Sequence, residues 1–110
     1  MPNYNIDGQS IFTRHTLKKF EDFAWLFFSS RENTHEPATL RSDKARINKL
    51  CKIFGPMLIS TIRHSDLLRW LMAMESKYKP KTTVEYLNLL KGIFRLAVHE
   101  KAITESPADA

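Results

Sequence analysis

The sequence predicts an all-α fold, a small four-helix bundle, on three observations. Apolar residues recur at three- and four-residue spacing in four separate stretches, which is the signature of one buried helix face. No strand pattern competes with them. The chain has 110 residues, 43% hydrophobic and 26% charged, which suits one domain and is too apolar for disorder. Three glycines and five prolines are too few for a linker polymer.

Thr16 is placed to cap the first helix, whose apolar positions are Leu17, Phe20, Phe23, Ala24 and Phe27. The pattern fades by Ser29-Ser30, and Arg31 to Pro37 reads as a polar loop. Pro37-Ala38-Thr39 opens the second helix, with Leu40, Ile47, Leu50, Cys51 and Phe54 on one stripe. Gly55-Pro56 ends it, since glycine just past a helix and proline beyond cannot continue it. Met57 to Ile62 is a short apolar connection. The third helix starts near Arg63 to Ser65 and runs through Leu67, Leu68, Leu71 and Met72, with Trp70 among apolar neighbours. Lys77 to Lys81, with Pro80, breaks it. The fourth helix runs from about Thr82 to Glu100 on a core stripe of Thr83, Tyr86, Leu90, Ile93, Phe94 and Ala97.

The formal net charge is +5, and it is unevenly placed. Residues 38–54 set Arg41, Lys44, Arg46, Lys49 and Lys52 against Asp43 alone. Residues 77–101 set Lys77, Lys79, Lys81, Lys91, Arg95 and Lys101 against Glu85 and Glu100. The remaining segments are neutral or acidic. Two separated basic blocks point to a polyanion, most often nucleic acid. Placed at about 100° per residue, the second helix turns Arg41, Ser42, Asn48, Lys49 and Lys52 away from its core stripe, around Ala45. Lys44 and Arg46 fall on the flanks. The fourth helix turns out Lys81, Glu85, Lys91, Gly92, Arg95 and His99 around Asn88. Amides and hydroxyls can read base edges while lysines and arginines hold phosphates, so both faces suit a DNA major groove.

Other chemistries find no residues. The isolated glycines at 8, 55 and 92 make no phosphate-binding loop. His15, His35, His64 and His99 are never four apart, and one cysteine builds no zinc site, so neither metal nor cofactor is expected. Cys51 lies on a core stripe and reads as a small buried hydrophobe. The longest apolar runs, such as Ala24 to Phe28, fall far short of a membrane span, and the first residues are not a signal peptide. A soluble, cytoplasmic protein is the expectation.

The run from Thr82 to Val98, with Tyr86, Leu87, Phe94 and Ala97-Val98, resembles the last long helix of the N-terminal core-binding (SAM-like) domain of tyrosine recombinases, the phage-type integrases. Phe54-Gly55-Pro56 through Ile62, followed by Asp66-Leu67, is similar to that family's glycine turn and third helix, and Phe20, Phe23, Ala24 and Trp25 to its aromatic first helix. The resemblance covers about residues 13–107, with residues 1–12 a linker or the remnant of a preceding segment. It implies double-stranded DNA at a recombination core site as the ligand, other recombinase protomers as partners, and a bacterial or phage origin. It also implies a non-catalytic chain, because Tyr4, Tyr78 and Tyr86 match none of the catalytic motif, whose domain would follow this one. The exit is Ser106-Pro107 where the family usually has Asn-Pro. The groove-facing residues it implies are Thr39, Arg41, Ser42 and Lys49, then Lys81, Thr82, Glu85 and Asn88. The outward faces add Asn48, Lys52, Lys91 and Arg95. The alternatives are a helical protein–protein interaction module and a small DNA-binding regulator.

Overall fold

A computed structural model describes residues 17–109, which form four helices. They are α1 (Phe20–Arg31), α2 (Pro37–Phe54), α3 (His64–Glu75) and α4 (Pro80–His99), with a 3-10 turn at Ile59–Thr61. Among the described residues the sole extended pairing is an isolated bridge between Lys19 and Leu58.

Each helix end has a local cause. The expected cap Thr16 lies outside the described residues, and α1 starts three residues later than the spacing suggests. The Lys18 and Lys19 N–H groups donate to Asp22 Oδ2 (3.2 and 3.0 Å), and Ile59 N–H donates to the Lys18 carbonyl (2.8 Å). Leu17 is buried all the same, just ahead of the helix. The helix also continues past Ser29-Ser30 to Arg31, whose side chain is anchored on α2. Pro37 and Pro80 both stand in the first turn of their helices, where the missing N–H has no partner to lose. Pro80 therefore opens α4 two residues before Thr82. Gly55 keeps a right-handed backbone (φ −49°, ψ −50°), so space rather than φ requires it. A Cβ there would run into the Cys51 carbonyl oxygen and lie 2.9 Å from Glu21 Oε1. At the end of α4, Lys101 adopts φ 63°. Its N–H donates to the Val98 carbonyl and that of Ala102 to the Ala97 carbonyl, both at 2.9 Å. This is a Schellman turn with lysine where glycine is usual.

The core follows the predicted stripes on α2 and α4. Thr83, Tyr86, Leu90, Ile93, Phe94 and Ala97 are all buried, joined by Leu89. On α2, Ile47, Leu50 and Phe54 are buried, while Leu40 and Cys51 are half-buried at the stripe's edge. The third helix departs from expectation. Leu67 and Trp70 are its buried residues, whereas Leu68 and Met72 are 45% and 63% exposed. This helix packs mainly on α4, so one narrow stripe suffices and residues one step round the helix face outward. Phe20 is the hub, 5.7 Å ring to ring from both Phe54 and Phe94. From Phe54 the aromatic contacts pass to Trp70 (6.4 Å) and on to Tyr86 (5.9 Å). Helix α1 packs tightly on α4 at Gly92, where a Cβ would meet the Phe27 ring at 2.5 Å. Among the described residues no helix is long and apolar enough to cross a membrane.

Candidate nucleic-acid interface

Helices α2 and α4 flank one shallow valley. Along α2, Thr39, Arg41, Ser42, Asn48, Lys49 and Lys52 are all exposed. Along α4, Lys81, Asn88 and Arg95 are exposed, while Thr82, Glu85 and Lys91 are half-buried. None of the twelve is withdrawn into the core.

The charge on α2 is more one-sided than its sequence shows. Asp43, its one acid, is 6% exposed and points inward. Arg31 at the end of α1 neutralises it, with Nη2 2.9 Å and Nε 3.1 Å from Oδ2. The same guanidinium lies over the Phe27 ring, 5.2 Å from its centroid. A carboxylate this buried requires such a partner. The outer surface of α2 is thus left with four exposed cations, Arg41, Lys44, Lys49 and Lys52, and no acid of its own.

One contact ties α2 to α4, and a second ties α2 to the connection just before α4. Arg46 Nη2 pairs with Glu85 Oε2 across the valley. Next to them, Arg31, Asp43, Phe27, Asn88 and Leu89 complete the lining of a polar recess of about 200 Å³. One turn further along α2, Lys49 Nζ lies over the Tyr78 ring, 5.9 Å from its centroid. Tyr78 in turn stands 6.4 Å from Tyr86, so this cation rests on a platform continuous with the core.

Asn88 and Glu85 are therefore gathered at one recess, while Lys49 lines a separate one with Trp70, Tyr78 and Tyr86. Glu85 is engaged by Arg46 rather than presented alone. Arg95 stands apart: its Nε and Nη2 bind both Asp109 carboxylate oxygens, at 3.2 and 3.1 Å, so the returning C-terminal segment takes up its charge. His64 Nδ1 meets the Pro107 carbonyl at 2.9 Å and fixes the same segment. Among the described residues no hydrogen bond or ion pair ties Thr39, Arg41, Ser42, Asn48 or Lys52 to α4. Sequence reasoning missed Arg46 and Tyr78. A single-helix projection puts Arg46 on a flank, and only the crossing of two helices shows that the flank lines a shared valley.

An all-α bundle with a basic two-helix face is the class that fold and site define. The sequence model of the family described as phage integrase central domain matches residues 20–110, and the chain belongs to that family. No curated protein and no solved structure matches it.

Proposed function

We propose that this chain binds double-stranded DNA sequence-specifically at a recombination core site, as the N-terminal, non-catalytic domain of a site-specific tyrosine recombinase. In this reading residues 13–107 are the DNA-binding unit and residues 1–12 a linker. Catalysis lies in another part of the longer protein, other protomers are partners, and the setting is the cytoplasm of a bacterium. One observation carries it: the acid-free outer surface of α2 beside the Asn88 face of α4. Helices of about this width fit a major groove, with cations on phosphates and amides on base edges.

The test is duplex binding by the 110-residue chain between about 50 and 200 mM salt. The expected result is a linear fall of log affinity with log salt, at about −0.9 per phosphate neutralised. A different observation favours a second reading, a protein-interaction module. Leu68, Met72 and Val84 are 45%, 63% and 52% exposed, and Leu71, Val84 and Leu87 help line a groove of about 340 Å³ between α3 and α4. Absence of duplex affinity at the lowest salt would transfer the function to that groove.

A further inference from the structure

We propose that Arg46, held by Glu85, is a base-reading side chain selective for guanine, and that Glu85 positions it rather than reading a base itself. The inference deepens the DNA-binding reading and rests on it.

The geometry separates Arg46 from the other cations of α2. Arg41, Lys49 and Lys52 stand on the exposed outer surface, the arrangement that suits phosphates along a groove wall. The Arg46 side chain, 25% exposed, lies between the two helices instead. Its Nη2 meets Glu85 Oε2, and Glu85 is its one ion-pair partner among the described residues. A guanidinium has five donors in a planar fork, so pairing with one carboxylate holds the group at this end of the valley and leaves donors for a second acceptor pair. Guanine offers such a pair in the major groove, O6 and N7. Asn88 lines the same recess, and an asparagine amide suits adenine N6 and N7. A positioned arginine and an amide at one end of a valley are arranged to read neighbouring base pairs. A phosphate contact would gain nothing from the acid beside Arg46, since Glu85 would repel the phosphate.

The experiment selects binding sites from a duplex library with a randomised central segment. It uses the 110-residue chain and the variants Arg46→Ala, Arg46→Lys and Glu85→Gln, each checked for an unchanged helical melting curve. The expected wild-type motif contains a fixed guanine. Arg46→Ala and Arg46→Lys should both lose preference at that position, by about tenfold to a hundredfold, and keep the other positions. Lysine keeps the charge but not the fork, so it separates base reading from charge. Glu85→Gln should weaken the same position while leaving the salt slope unchanged. A wild-type motif without a fixed guanine, or one that both Arg46 variants retain, overturns the inference and leaves DNA binding standing. Equal losses at all positions, with a shallower salt slope, make Arg46 a phosphate contact and overturn it too. No duplex binding by the wild type at low salt overturns the inference together with the reading beneath it.

Discussion

At the scale of the residue, Cys51 shows how a position on a stripe becomes chemistry. Burial pushes its thiol from 9.0 up to about 11, and the Glu21 carboxylate adds to the rise. At pH 8 the folded chain therefore holds on the order of 100-fold less thiolate than a free thiol, and alkylation should be slower in proportion and recover in denaturant. The linkage has a definite sign: with the folded value raised, the contribution to stability is complete below about 9 and is lost as pH rises towards about 11. Melting at pH 8 and pH 10.5, with Cys51→Ala as control, checks it. Asn88 is the residue where spacing alone located an exposed amide correctly. Asn88→Ala should reduce discrimination between a selected site and random duplex by about 1–3 kcal/mol and leave the random-duplex salt slope intact. Affinities on both duplexes at two salt concentrations measure this. Glu85 and Arg46 were not legible in the same way, because their pairing joins residues 39 positions apart on helices whose crossing no periodicity encodes.

The helices themselves were legible where one face is wholly buried. Helix α4 shows its stripe in full because α1, α2 and α3 all pack on it. Helix α3 shows less, since the alternation of Leu67-Leu68 and Leu71-Met72 offers two apolar stripes and only packing chooses between them. Boundaries were hidden for another reason, that partners distant in sequence set them, as Met57 and Ile59 do for the start of α1. Two substitutions follow from helix geometry. Gly92→Ala gains helix propensity of about 1 kcal/mol, yet its Cβ must enter the Phe27 ring, so a net destabilisation of about 1–3 kcal/mol is expected. Adding Phe27→Leu should recover part of the loss, and denaturant titration of the single and double variants decides it. Lys101→Gly removes a left-handed lysine and should stabilise the chain by about 1 kcal/mol, seen as a melting point raised by several degrees.

For the whole molecule, the separation of charge from core is what makes α2 and α4 usable together. Their apolar faces close the bundle while their outer faces stay basic, and Arg31 removes the one acid that would spoil α2. Arg41→Ala and Lys49→Ala should each weaken binding to all duplexes and lower the salt slope by about one unit, with melting unchanged in Arg41→Ala. Unaltered slopes in both variants would place the DNA face elsewhere on the bundle. The position of Phe20 has a temporal consequence as well. Its ring is shared between Phe54, from the middle of the chain, and Phe94, near its end. A growing polypeptide released from a ribosome can form the α1–α2 hairpin early, but the hub stays open to water until residue 94 arrives. Nascent chains halted before α4 should accordingly be sticky and protease-sensitive, and resistance should appear abruptly, in one step, once the last helix has emerged.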